Sequence, residues 1–234
     1  MEPLVTAPIV NALFMPDERS VAPRRLVNAL RESCFHRDVE IRTGVHVDAI
    51  SPNTVHVAHT TMQASSIIIA SGVWSAEFAG VEPRIPVSPR KGQILSLAMP
   101  MGAFRRMIRW GSSYFVPRTT GELVVGATNE DVGFDSVVTP AGLGRLLMDA
   151  QSISSHVGSY PILDTWTGLR PATPDGLPIL GPSEVQGVYY ATGHYRNGVL
   201  LAPITAAIMA DLVEGRNPSS DIKPYKPSRF VPHV

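Results

Sequence analysis

The sequence predicts an α/β fold that carries an α+β insertion in its middle. Helix and strand patterns alternate up to residue 70 and again after residue 188. Between these parts, from Pro86 onward, short strand patterns follow one another with a single helix among them. Alternating helix and strand is typical of an α/β layer, and successive short strands indicate antiparallel sheet. The middle of the chain is therefore predicted to be a β-rich insertion between two pieces of one α/β domain.

The first part opens with an amphipathic helix at 22–35. Pro23 lies in its first turn, where the missing N–H costs nothing. One helical face is predicted to be buried, and it consists of Leu26, Val27, Leu30 and Cys34. Short β-branched runs predict strands at 39–42, 45–50 and 54–58. The run SIIIA at 66–70 is apolar throughout, which predicts a central strand covered on both faces.

The middle part contains the antiparallel patterns. Strands are predicted at 90–98, 107–110, 114–116, 122–128 and 162–170, with a helix at 141–153. The turn at 119–121 is predicted to join two of these strands as a hairpin. In the last strand, alternation places Trp166, Gly168 and Arg170 on one face.

The last part contains a strand at 188–192 and a helix from about 198 to 214, which Gly215 ends. The helical face predicted to pack inward consists of Ile204, Ala207, Ile208 and Leu212. The segment after Gly215 is rich in proline and serine and is predicted to be loosely held.

The composition excludes several classes of protein. The chain has 234 residues, of which 20 are basic and 20 acidic, so its net charge favours neither nucleic acid nor an anionic membrane. No apolar segment is long enough to span a bilayer, and the N-terminus lacks the basic residues of a signal peptide. The single cysteine, Cys34, allows no internal disulfide and no multi-cysteine metal site. We therefore expect a soluble cytoplasmic protein without a metal site.

Two arginines in glycine-flanked settings predict a site for a small acid. Arg170 lies in WTGLRP and Arg196 in GHYRNG, just before the predicted start of the last helix. A guanidinium group can hold a carboxylate through two parallel hydrogen bonds, which makes this pair a candidate carboxylate site.

Five motifs, in this order, resemble the FAD-dependent D-amino-acid oxidase superfamily, and most closely its glycine oxidase branch of thiamine biosynthesis. They are PRKGQIL (89–95), YFVPR (114–118), LVVGATNEDVGFD (123–135), WTGLRPATPDGLPILG (166–181) and GHYRNGVLLAPITA (193–206). The resemblance implies an FAD-binding domain of Rossmann type at 1–86 and 173–225, a β-rich substrate-binding domain at 87–172, and a tail at 226–234.

One element of the superfamily pattern is absent from this sequence. Members resemble one another in a G-x-G-x-x-G turn between a strand and a helix, which receives the FAD pyrophosphate. Here the G-x-G at 142–144 follows Thr139 and Pro140 rather than a strand. We therefore expect an incomplete Rossmann-type domain that lacks its N-terminal unit, and a truncated reading frame, a fragment or a split gene.

The resemblance implies oxidative deamination of glycine or a small amino acid. A hydride passes to the flavin, dioxygen reoxidises it to give hydrogen peroxide, and the imine hydrolyses to a keto acid and ammonia. The resemblance assigns Arg170 to the substrate carboxylate and Tyr114 to a second donor. It places Arg196 near substrate and flavin, and Asn129 on the wall of the substrate cavity. No side-chain base is predicted.

The resemblance also assigns residues to FAD. The segment at 70–75 matches a loop that contacts flavin, with Ser71, Gly72 and Trp74 as candidates. The start of the last helix would face the flavin C2 carbonyl through the segment 196–200. The candidates in that segment are Arg196, Asn197, Gly198, Val199 and Leu200. Val47, on a predicted strand edge, is a candidate contact to the adenine.

Other hypotheses stay open beside this one. The chain could be another amino-acid or sarcosine oxidase or a dehydrogenase of the same superfamily. It could also be a non-catalytic remnant, or one half of a split flavoenzyme that pairs with an N-terminal fragment or forms a homo-oligomer. Uncovered apolar strand edges would favour such association. We interpret His194 as structural and Asp175 as part of a local turn.

Overall fold

The computed structural model describes residues 2, 4–58 and 60–231. Within these ranges the helices are α1 (Pro23–Phe35), α2 (Pro140–Ile153) and α3 (Gly198–Val213). The strands are β1 (Ala49–Ser51), β2 (Thr54–Val57), β3 (Thr60–Gln63), β4 (Ile67–Ile69), β5 (Ser88–Ala98), β6 (Ile108–Trp110), β7 (Ser113–Pro117), β8 (Glu122–Gly126), β9 (Ile162–Ala172), β10 (Ile179–Pro182) and β11 (Val188–Thr192). Short 3₁₀ turns lie at Gly72–Ala76, Ser155–Ser159, Lys223–Tyr225 and Pro227–Phe230. The predicted mixed α/β class with antiparallel sheets is confirmed.

The chain divides into two compact units. The first unit contains Met1–Ala22 and Lys91–Leu169, and the second contains Pro23–Arg90 and Arg170–Val234. Residues 91–169 therefore lie in a different unit from the parts of the chain that flank them directly. Residues 1–22, which we predicted to belong with the flanking parts, group with the middle instead. The assignment of FAD to one domain and substrate to the other stays a prediction.

The first unit is built on a five-stranded sheet with the order β6-β7-β8-β5-β9. The predicted hairpin joins β7 and β8, and its turn closes with a hydrogen bond from the Gly121 amide to the Arg118 carbonyl. Gly121 has a φ of +81°, a conformation that glycine adopts at low cost. α2 packs Leu146, Ala150 and Ile153 against the apolar side chains of the sheet.

α2 begins with a polar cluster that also reaches β5. The Thr139 side chain caps the helix by accepting a hydrogen bond from the Gly142 amide. The fully buried Gln93 amide group donates to Glu130 and Thr139 and accepts from the Thr139 backbone amide. A Cβ atom at Gly142 would lie 2.2 Å from Nε2 of Gln93, so the glycine permits this close packing.

A buried lysine holds the segment that follows β8. Lys91 is 1% exposed, and its ammonium group donates to Asp135 at 2.9 Å and lies 3.8 Å from Glu130. Burial raises the pKa of Glu130, but hydrogen bonds from Thr128 and Gln93 and the charge of Lys91 outweigh it, so the pKa is lowered. A buried ammonium is tolerated when it is paired with carboxylates, as Lys91 is.

The second unit contains two small sheets. β10, β11 and β4 form one, in which β11 pairs antiparallel with β10 and parallel with β4. β1, β2 and β3 form an antiparallel meander. An apolar core of the second unit contains residues of both sheets, among them Ile50 of β1, Ile67 and Ile69 of β4, and Ile179 and Tyr190 of β10 and β11.

Three predictions for the second unit were wrong. Within the described residues, the strand at 67–69 lies at the edge of its sheet rather than at the centre, and Ile68 is 45% exposed. Residues 39–42 form no strand, and of the predicted strand at 45–50 only Ala49 and Ile50 are strand. Short apolar runs do not reveal whether a neighbouring strand or a solvent-facing loop lies beside them.

The helices of this unit also bury less than expected. α1 has no buried residue, and Val27, Leu30 and Phe35 are all more than half exposed. Cys34 is half-buried. α3 buries Thr205, Ile208 and Met209, so the predicted inward face was wrong for Ile204 and Ala207, which are exposed. Because α3 is apolar on all sides, its sequence pattern does not distinguish the packed face from the others.

The segment after Gly215 is held more firmly than predicted, as far as Val231. Ile222 and Pro227 are buried. The Arg229 guanidinium donates to both carboxylate oxygens of Asp175 and to the Leu177 carbonyl. This ion pair lowers the pKa of Asp175 to about 2. In the part of the chain that the structure describes, no helix has the length and hydropathy needed to cross a membrane.

Candidate functional site

The two arginines of the predicted carboxylate site belong to the second unit and to neighbouring segments of it. The backbone amide of Tyr195 donates a hydrogen bond of 2.9 Å to the carbonyl oxygen of Pro171. Arg170 precedes that proline and Arg196 follows that tyrosine. The structure therefore brings the two arginine-bearing segments together.

The arginines differ in their surroundings. Arg170 is half-buried near the end of β9, and Arg196 is exposed. The Cζ atom of Arg196 lies 5.7 Å from the centre of the Tyr195 ring. Gly193 has a φ of +75°, and a Cβ atom there would lie 2.8 Å from Cγ2 of Thr173. A glycine is therefore needed where this loop passes close to the chain beyond Arg170.

The loop leads directly into α3, which begins at Gly198. Asn197 precedes the helix, but its side chain makes no capping hydrogen bond to the first turn. The first backbone amides of a helix carry partial positive charge and can bind an anionic or carbonyl group. His194 lies outside this helix start: its Nε2 hydrogen-bonds the Thr205 hydroxyl, and burial lowers its pKa. That contact agrees with the structural role predicted for His194.

A second loop is tied to the same region by hydroxyl groups. The Ser75 hydroxyl donates to Thr192 at 2.9 Å, and the Thr192 hydroxyl donates to the Gly72 carbonyl at 3.0 Å. Ser71 and Ser75 hydroxyls are 3.2 Å apart. Thr192 ends β11 immediately before the Gly193 loop. Two segments predicted to contact the flavin are therefore linked through a buried threonine that sequence reasoning missed.

The residues of this second loop suit a close approach by a flat ring. Gly72 has a φ of +59°, and nothing lies within 4 Å of where its Cβ would be. Trp74 is 52% exposed. The contact between Ser75 and Thr192 carried no signal in the sequence, because it joins positions separated by 117 residues.

Val47 lies elsewhere in the second unit. It precedes β1 and belongs to no strand, so the predicted strand edge was wrong. A surface hollow of about 270 Å³ is lined by Val47, Val45, Val55, Val57 and Met62, together with Glu40 and Arg42. A contact between Val47 and the adenine of FAD stays a prediction.

Tyr114 and Asn129 belong to the first unit. Tyr114 is half-buried on β7 and pairs across the sheet with Gly126 of β8. Asn129 is exposed, and its neighbours Thr128 and Glu130 are bonded to Gln93 and Lys91 of β5. The structure thus fixes the backbone on both sides of Asn129.

Comparisons of this chain with known proteins agree on one family. The model of the family described as "FAD dependent oxidoreductase" matches residues 1–212. The chain is 38% identical over 233 residues to the "Bifunctional protein ThiO/ThiG" of Synechocystis sp.. It is 32% identical over 247 residues to a glycine oxidase of Geobacillus kaustophilus, and the alignment covers the whole chain.

The solved structures point the same way. The crystal structure of glycine oxidase from Geobacillus kaustophilus superposes with a TM-score of 0.75 at 31% identity, over 80% of this chain and 53% of that one. In the sequence alignments, the ThiO/ThiG match covers 95% of this chain and 35% of that protein. The glycine oxidase match covers 64% of the relative. The chain therefore spans about one third to two thirds of the length of these relatives.

Proposed function

Because the chain belongs to the family of FAD-dependent oxidoreductases, we propose that it carries substrate-binding and flavin-contacting elements for oxidising glycine or another small amino acid. FAD is the cofactor of this family. The observation that carries the proposal is the hydrogen bond from Tyr195 to Pro171, because it joins the segments of Arg170 and Arg196.

Arg170 is the proposed partner of the substrate carboxylate. It is half-buried, which strengthens a charge-assisted hydrogen bond relative to one in bulk water. Two parallel hydrogen bonds would fix the orientation of the amino acid, and this positioning is a large part of catalysis. Tyr114 is the proposed second donor, Arg196 a further contact to substrate and cofactor, and Asn129 a residue of the cavity wall.

The second unit offers backbone groups that could contact the flavin. The uncapped start of α3 presents backbone amides of Gly198, Val199 and Leu200, and the Gly72 loop leaves open space beside its backbone. When bound, FAD supplies the acceptor for a hydride from the substrate α-carbon. The helix start would stabilise negative charge that builds on the ring, which is electrostatic catalysis by preorganised dipoles.

The proposed reaction is oxidative deamination with dioxygen as the final electron acceptor. Glycine, dioxygen and water would give glyoxylate, ammonia and hydrogen peroxide. The substrate amine would react in its neutral form, so the chain needs to orient the substrate rather than provide a base. A dehydrogenase that passes electrons to another acceptor is the alternative within the same family.

Spectroscopy of the purified chain tests the proposal. We expect added FAD to bind, with quenched fluorescence, and glycine to bleach the bound flavin under anaerobic conditions. Readmission of air should restore the colour and release one peroxide per glycine. Bleaching without peroxide would support a dehydrogenase. Ethylamine, which lacks the carboxylate, is the matched control, and equal bleaching by ethylamine would contradict carboxylate recognition.

A second candidate function is supported by the exposed apolar side chains of the second unit. α1 buries no residue, and Leu200 of α3 is 78% exposed. Val27, Leu30 and Phe35 of α1 are each more than half exposed, and large exposed apolar side chains on one helix are typical of a surface that associates with another chain. On this hypothesis the chain works as part of an assembly, either with a second copy or with a complementing fragment. Light scattering of the purified chain separates a stable oligomer from a monomer that needs a partner.

A further inference from the structure

Gly126 lies opposite the proposed substrate-binding tyrosine in the sheet of the first unit. Tyr114 of β7 and Gly126 of β8 are direct cross-strand partners. Directly opposed residues project from the same face of an antiparallel pair, so their side chains compete for the same space. Glycine leaves that space to the tyrosine alone.

The Tyr114 ring occupies the space that a side chain at position 126 would need. A Cβ atom on Gly126 would lie 2.6 Å from both Cζ and Oη of Tyr114 and 2.9 Å from Cε2. The end of the phenol ring that carries the hydroxyl group therefore rests on the α-carbon of Gly126. Gly126 is itself buried, and its other neighbour across the sheet is Ile94 of β5. β8 therefore cannot move away from Tyr114 without disturbing its pairing with both β7 and β5.

We infer that Gly126 is a positioning residue whose missing side chain sets the place of the Tyr114 hydroxyl for the substrate carboxylate. The inference rests on the proposed role of Tyr114 in amino-acid binding. A methyl group at position 126 would push the ring off the strand by roughly 1 Å to restore an ordinary contact of 3.4 Å, which is enough to misplace a hydrogen-bonding hydroxyl. The loss should therefore fall on carboxylate binding and on KM more than on kcat.

A double-mutant cycle tests the inference in the FAD-loaded chain, with acetate as the carboxylate probe. We expect Gly126→Ala to weaken acetate binding roughly tenfold, the effect of losing one hydrogen bond to a charged group. Tyr114→Phe should weaken it by a similar factor, and the double variant should be no weaker than either single variant. Gly144→Ala in α2 is the matched control, since nothing lies within 4 Å of that position.

The outcomes separate this inference from the proposed function. If the wild-type chain binds FAD but not acetate, the proposed amino-acid site fails and the inference fails with it. If Tyr114→Phe weakens acetate binding while Gly126→Ala does not, or if the two effects multiply, only the inference is overturned.

If Gly126→Ala folds poorly, a second measurement still tests the inference. In the Tyr114→Ala background the ring that meets the new methyl group is gone, so Gly126→Ala should no longer lower the melting temperature. A drop that persists there would place the need for glycine in the strand itself and overturn the inference.

Discussion

The amide of Tyr195 donates a hydrogen bond to the carbonyl oxygen of Pro171, and this one contact joins the two segments that carry Arg170 and Arg196. Both arginines belong to one compact unit, which gives the proposed carboxylate site a physical basis beyond motif spacing.

Arg170→Lys should impair amino-acid turnover even though it keeps the charge. A lysine offers a point charge in place of a planar guanidinium with two parallel donors. Because a hydrogen bond to a charged group contributes about 1.5 to 3 kcal/mol, we expect Arg170→Lys to lose about 2 kcal/mol of transition-state stabilisation and Arg170→Ala about 3 kcal/mol. The measurement is kcat/KM for glycine in the FAD-loaded chain. Arg216→Ala, on the surface after α3, is the control and should behave as wild type. Unchanged kcat/KM in Arg170→Ala would contradict the assignment.

Thr192→Val should weaken FAD binding. The change keeps the shape of the side chain but removes the hydroxyl that accepts from Ser75 and donates to Gly72. Leaving these buried groups unpaired costs about 1 to 3 kcal/mol. Flavin fluorescence titration gives the affinity, and Thr192→Ser, which retains the hydroxyl, should recover most of it. Equal FAD affinities of Thr192→Val and the wild type would contradict the proposed role of these loops in binding the cofactor.

Gly142→Ala and Gly144→Ala should have opposite effects on stability. Both lie in α2, but a Cβ atom at 142 meets the Gln93 amide group at 2.2 Å, whereas the space at 144 is open. We expect Gly142→Ala to lose about 1 to 3 kcal/mol through overpacking. Gly144→Ala should gain about 0.5 to 1 kcal/mol from helix propensity. Urea unfolding of both variants compares them directly, and a similar change in both would refute the packing argument.

Asp175→Asn should destabilise the second unit at neutral pH and have little effect in strong acid. The hydrogen bond from Arg229 lowers the folded-state pKa of Asp175 from 3.8 to about 2. A depressed pKa contributes stability that is present above the unfolded value and is lost as pH falls towards the folded value. Since the Asp175 side chain is 34% exposed, solvent screening limits the contribution to about 1 kcal/mol. Urea unfolding from pH 7 down to pH 2 measures it. A destabilisation that stays constant over this range would exclude the ion pair as its source.

Local chemistry made part of the fold predictable. The hairpin at Gly121 and the limits of α2 follow from turn and cap residues close in sequence, and both were confirmed. The edge position of β4 and the exposure of α1 depend on what packs beside them, which periodicity does not encode. β10 was not predicted, because Gly181 and Pro182 interrupt its short apolar run.

The candidate site was also predictable from the sequence only in part. Arg170, Arg196 and Tyr114 stand in motifs that a family resemblance picks out. The contacts around the site are not visible in these motifs. Thr192 contacts Ser75 across 117 positions, and Gly126 contacts Tyr114 only because of the register of two strands. Such pairs become visible only when the chain is folded.

The parallel pairing of β4 with β11 sets an order of events during synthesis. β4 ends at Ile69 and β11 begins at Val188, so β4 leaves the ribosome well before its partner exists. Lys91–Leu169, which is the larger part of the first unit, lies between them in the sequence. Its early collapse would shorten the loop that has to close and so reduce the entropic cost of joining the two strands. Until then, Ile67 and Ile69 of β4 lack the later residues Ile179, Val188 and Tyr190 that complete their core.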